Sequence, residues 1–160
     1  MSSFVIFAFP VAGGILAIAP VPGGGGDYRE DLVHLADWKP ALVISMTTQS
    51  EMAASGAADL GPDLQDAGTR WVHLPLADYT APDLTHEDLW HDISRTALAA
   101  LQGGGRVLVH CRGGCGRSGM VALRLMIEAG EAPDEALRRL RSIRPCAVET
   151  DAQMRWAVSG

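Results

Sequence analysis

The sequence predicts an α/β domain with a central, mainly parallel sheet flanked by helices, and three observations predict it. Short apolar, β-branched runs alternate with helix-length periodic segments along the chain. Val107-Leu108-Val109 is wholly apolar, as a strand covered on both faces requires. The 160 residues suit a single domain spanning 1–160, and 48% apolar with 20% charged composition and no solenoid-period repeat excludes collagen-like, solenoid and coiled-coil classes.

Residues 4–9 and 15–19 read as two strands, separated by Pro10 and Gly13-Gly14. The apolar opening imitates a secretory leader, with Ala17-Ile18-Ala19 as a cleavage site, but no Lys or Arg precedes Arg29. No stretch approaches the ~18 uninterrupted apolar residues of a membrane span. Asp27 caps a helix over 28–38, residues 41–45 form a buried strand, 56–67 a loop with a short helix, and 70–76 a strand. Thr85 with Asp88 resembles a capping box opening a helix to about Gln102, which Gly103-Gly104-Gly105 ends. Strand 106–110 leads through a glycine-rich turn into a helix over 118–129, where Arg124 and Glu128 are the polar pair, four apart on one face. Gly130 stops it, Pro133 starts a helix to about Arg144, and Thr150 caps a last one to about Val158.

The net charge of -6 disfavours nucleic acid, and the charge is uneven. Residues 1–105 carry 13 acids against 4 bases; residues 106–160 carry 6 against 9, which places an anion site in the last third. Twelve of the 13 bases are Arg, so recognition of a phosphate is expected to be forked and bidentate. Three cysteines are too few for a disulfide scaffold, and two lie in one Gly/Arg-rich loop; a catalytic use and a reducing cytoplasm are expected.

The informative segment is Arg106 to Gly119, RVLVHCRGGCGRSG: a buried strand delivers Cys111 into a loop that feeds a buried helix. Glycines tolerate the φ values that turn successive N–H groups inward, and the helix N-terminus adds its positive end. Amides that bind phosphate also stabilise a thiolate. Arg117 can fork two phosphoryl oxygens from the far rim.

His110-Cys111, five residues, then Arg117-Ser118 resembles the His-Cys-x₅-Arg-Ser/Thr signature of the cysteine-dependent protein phosphatases, and with it their phosphotyrosine-phosphatase II-like fold. Pro75-Leu76-Ala77-Asp78 with Pro82 resembles the general-acid loop of the small dual-specificity enzymes, the cyclin-dependent-kinase-associated group above all; residues 136–145, Glu149-Thr150 and Gln153 resemble the segment beyond their signature. The resemblance covers residues 70–158, and implies that Cys111 attacks phosphorus while Arg117 and the amides of Arg112, Gly113, Gly114, Cys115 and Gly116 hold the phosphoryl group. It implies Asp78 as general acid, Ser118 as donor to the departing thiolate, His110 as a brace of the loop, Gln153 as a water-orienting group, and a phosphoprotein substrate.

Each assignment has a plainer rival. Asp78 could be an Asx-turn residue with Asp83 the acid; Gln153 is explained by the Thr150-x-x-Gln153 capping box; Ser118 could cap its helix; Cys115 is a loop filler or a trap for oxidised Cys111, a part Cys146 could share. Arg112 is a solvated residue or a contact for acidic groups, and Arg138-Arg139-Arg141 a solvated helix face. Gly114-x-Gly116-x-x-Gly119 matches a dinucleotide turn, but the acidic residues about 20 positions on open a helix. His86 and His91 are five apart and face differently, so no metal or other cofactor is implied. A rhodanese-like sulfurtransferase or a non-catalytic phospho-binding module are the competing functions; the first usually has a shorter loop and the second would lack the nucleophile or the acid.

Overall fold

The computed structural model describes residues 4–160; the first three residues of the apolar opening lie outside it. Strands β1 (Phe7–Val11), β2 (Gly14–Ala19), β3 (Leu42–Ser45), β4 (Arg70–His73) and β5 (Arg106–His110) form one sheet in the order β1-β2-β5-β3-β4. Only β1 runs antiparallel, paired with β2. The expected break at Pro10 falls instead at Ala12, whose φ of 54° reverses the chain, so β1 continues through Pro10. Pro10 is tolerated because β1 is an edge strand.

Side chains alternate across the sheet as the pleat dictates. Leu108, Val43 and Ala17 face helices α1 (Tyr28–Asp37), α2 (Gln49–Ala54) and α3 (Leu60–Asp66), while Val107, Val109, Ile44 and Ile18 face α4 (Glu87–Gln102), α5 (Gly116–Glu128), α6 (Pro133–Ile143) and α7 (Asp151–Val158). Helix α5 is buried from Gly116 to Leu123 because the sheet, α6 and α7 enclose it.

Helix α2 lies in a stretch for which the sequence predicts no element, and is opened by a complete capping box between Thr48 and Glu51. Three readings are corrected. Strand β4 ends at His73 rather than at 76, although Leu74 and Leu76 still donate to the carbonyls of Ser45 and Met46. The cap before α4 is Asp83, not Thr85: its carboxylate takes the N–H and the hydroxyl of Thr85, and a 3₁₀ turn over Leu84–His86 precedes the helix. Of the Arg138-Arg139-Arg141 face only Arg138 is exposed; Arg139 and Arg141 are half-buried and engaged, since Arg139 pairs with Glu131 at 2.7 Å and Arg141 donates to the carbonyls of Ala147 and Val148, both at 2.9 Å.

Candidate active site

Cys111 follows directly on β5 and α5 begins at Gly116, so the intervening loop lies at the carboxyl end of the parallel strands. Its carbonyls point outward and are taken by the scaffold. Met46 N–H donates to His110 O at 2.9 Å, Val21 N–H to Arg112 O at 3.2 Å, and Gly119 and Val148 N–H to Cys115 O at 2.9 and 3.3 Å. Arg144 donates to the carbonyls of Gly113 and Gly114, each at 3.0 Å. By contrast, no carbonyl among the described residues engages the N–H groups of residues 112–118. Carbonyls out and amides in is the geometry of an anion nest. Gly114 makes it possible: its φ is 72°, and a Cβ there would lie 2.9 Å from the Ala19–Pro20 backbone.

Cys111 forms the floor of this cup, 2% exposed, with its Sγ 3.2 Å from Ser118 Oγ. The Arg117 guanidinium is 1% exposed. Its end edge is occupied, with Nη1 and Nη2 donating to the Glu51 carboxylate at 2.6 and 2.8 Å and Nη1 also to Leu76 O at 2.8 Å. Nε has no partner. The side edge, Nε–H with the remaining Nη2–H, is therefore left for a forked contact with an anion. Burial works against the Arg117 charge, but the Glu51 hydrogen bonds and the charges of Cys111, Glu51 and Asp78 outweigh it and raise the guanidinium further. The same hydrogen bonds hold Glu51 down at about 2. Glu51 was not singled out in the sequence, although Thr48-x-x-Glu51 was its signal.

Asp78 Oδ1 lies 3.5 Å from Arg117 Nη2 and accepts from Tyr79 N–H. Asp83 is mostly exposed and committed to its cap. The segment carrying Asp78 is tied on both sides: Leu76 O accepts from Arg117, Tyr79 O from Thr150 Oγ1 at 3.4 Å, and Thr80 O from Gln153 Nε2 at 3.3 Å. Gln153 is thus both the capping-box partner of α7 and a tether of the Asp78 segment. His110 is buried and braces the loop through Nδ1, 3.4 Å from Cys111 O, and burial pushes its imidazole down to about 4. Arg112 is exposed beside a cavity of about 430 Å³ that Gly113, Arg144, Gly24 and Gly25 also line.

Cys115 is neither a loop filler nor a trap for Cys111. It is joined to Cys146 in a disulfide with Cα atoms 5.1 Å apart, because the connection between α6 and α7 folds back over the loop; Cys111 is the free thiol. The expectation of reduced cysteines is corrected accordingly.

A parallel strand that delivers a buried cysteine into an amide-lined loop closed by an arginine defines the class of the cysteine-based dual-specificity phosphatases. Within it, the chain belongs to the PTP-SAK family, the Swiss Army Knife protein DSP-PTPase phosphatase domain, which it matches over residues 24–156. It is 31% identical over 93 residues to the tyrosine-protein phosphatase CDC14 of Saccharomyces cerevisiae, covering 58% of this chain and 16% of that protein. It is 29% identical over 112 residues to the human cyclin-dependent kinase inhibitor 3, covering 68% and 51%. The chain therefore spans about half or less of these curated relatives. Its fold superposes on a kinase associated phosphatase carrying serine for its catalytic cysteine, with TM-score 0.86, 22% identity, and 98% and 93% of the two chains covered. Among the described residues no helix is long and apolar enough to cross a membrane.

Proposed function

We propose that this chain, as one domain over residues 1–160, hydrolyses phosphomonoesters on proteins, phosphotyrosine first and phosphoserine or phosphothreonine as well, without a metal. The observation that carries the reading is the pairing of an inward ring of unengaged amides with the unpartnered Nε of a buried arginine, both around one free thiol. A tetrahedral dianion satisfies all of these donors together.

In this reading the Cys111 thiolate attacks phosphorus in line, forming the S–P bond as the ester P–O bond breaks. Arg117 and the amides of Arg112, Gly113, Gly114, Cys115, Gly116 and Arg117 hold the equatorial oxygens through the transition state. The dianion takes the Nη2 edge that Asp78 now faces at 3.5 Å, which frees the carboxyl to protonate the leaving oxygen. Water then attacks the cysteinyl-phosphate, Asp78 accepts its proton, and the Ser118 hydroxyl at 3.2 Å donates to the departing thiolate, releasing inorganic phosphate. The similarity to CDC14 and to cyclin-dependent kinase inhibitor 3 supports a phosphoprotein as the substrate.

The test is hydrolysis of aryl phosphates in the presence of a chelator. Wild type is expected to be active and Cys111→Ser inactive. Asp78→Ala should lose roughly 10²–10⁴-fold on phenyl phosphate, and less as the leaving group becomes more acidic. Activity that survives in Cys111→Ser, or that disappears with the chelator, overturns the proposal.

A further inference from the structure

We propose that Ser45 and Trp71 are positioning residues for the Cys111 nucleophile, a one-way donor chain that fixes the tautomer of His110 and, through it, the plane of the Cys111–Arg112 peptide. This rests on Cys111 being the nucleophile. The chain crosses three neighbouring strands, from Trp71 in β4 to Ser45 and His110 at the carboxyl ends of β3 and β5.

Its direction is set at its two ends: an indole N–H donates and never accepts, and the Cys111 carbonyl that His110 Nδ1 faces accepts and never donates. Trp71 Nε1–H donates to Ser45 Oγ at 2.8 Å. The Ser45 proton is thereby free for His110 Nε2, 2.5 Å away. With Nε2 accepting, the neutral ring carries its proton on Nδ1, which faces Cys111 O at 3.4 Å, the longest link. A trans peptide places C=O and the following N–H on opposite sides. Holding Cys111 O toward His110 therefore turns the Arg112 N–H into the cup and keeps carbonyl charge away from the sulfur.

The indole is seated for the task. It stacks on His73 with ring centroids 5.2 Å apart, and His73 Nε2 donates to Thr47 O at 2.7 Å. It also covers Gly61, where a Cβ would meet the indole at 2.6 Å. The charged and titratable groups acting on His110 are His73, Arg117 and Glu51, with Cys111 and Asp78 beside Arg117, and substitution of Ser45 or Trp71 removes none of them.

Because Cys115 and Cys146 are joined, alkylation by iodoacetamide reports on Cys111 alone. The rate is measured against pH for wild type, Ser45→Ala and Trp71→Phe. In Ser45→Ala the half-maximal pH is expected to rise by roughly 0.5–1 unit, the equivalent of one lost hydrogen bond. Trp71→Phe, which keeps an aromatic side chain but loses the N–H along with part of the indole, should move it the same way by a smaller step and carries the test alone if Ser45→Ala does not fold. A half-maximal pH equal to that of wild type overturns the inference, even where the plateau rate falls, since a merely structural role lowers the rate without moving the profile. Failure of the nucleophile assignment shows separately, as phosphatase activity surviving in Cys111→Ser.

Discussion

A guanidinium as buried as Arg117 keeps its charge and its orientation only where another group replaces water around it, and Glu51 is that group. The carboxylate takes the end edge and so turns the side edge, with its unpartnered Nε, toward the cup. Glu51→Gln keeps the shape but sets an amide NH₂ against the guanidinium donors. Stability is expected to fall by roughly 3 kcal/mol and kcat/KM for an aryl phosphate by at least about tenfold. The pH dependence gives the sign. Hydrogen bonds from Arg117 depress the Glu51 carboxyl from 4.5 to about 2, so its contribution is complete above about pH 4.5 and is lost as pH falls toward 2. Urea midpoints measured across that window should drop more steeply for wild type than for Glu51→Gln; parallel curves would show that the pair contributes nothing.

Between residue and fold, the informative element is α7, because its N-terminal box does two tasks. Gln153 Oε1 accepts from the N–H groups of Glu149 and Thr150, while its Nε2 reaches Thr80 O in the segment carrying Asp78. Gln153→Ala should cost about 1 kcal/mol as a lost cap. It should also slow phenyl phosphate, which needs a proton donor, more than 4-nitrophenyl phosphate, whose leaving group needs little help. Equal losses on the two substrates would show that the tether does not serve Asp78. This box was legible in the sequence because its partners are three residues apart, and so was β5 with its loop and α5, which form one unbroken stretch. Helix α2 was not: at six residues it is shorter than the window in which a helical period shows, and its Glu51 meets Arg117 across 66 positions. The Trp71–Ser45–His110 chain was equally hidden, since it exists only once three strands are in register.

At the scale of the whole molecule, the loop is held in shape by the connection between α6 and α7. Arg144 takes two of its carbonyls and Val148 N–H a third, and Val148 does so at a φ of 67°, a conformation that costs a β-branched residue energy and persists only where its surroundings impose it. The Cys115–Cys146 bond is one such constraint, closing a separation of 31 residues. By the chain-entropy relation a closure of that length contributes roughly 3–4 kcal/mol. In a chain of 160 residues a change of that size moves the thermal midpoint by roughly 5–15 °C. Dithiothreitol, or Cys146→Ser, should therefore lower the midpoint by that amount while aryl phosphatase activity at 25 °C persists, because the contacts from Arg144, Val21 and Val148 to the loop carbonyls do not depend on the sulfur bond. A midpoint that neither reductant nor Cys146→Ser moves would show that this bond does not hold the connection. Activity lost at 25 °C with the midpoint unchanged would place its effect in the loop alone.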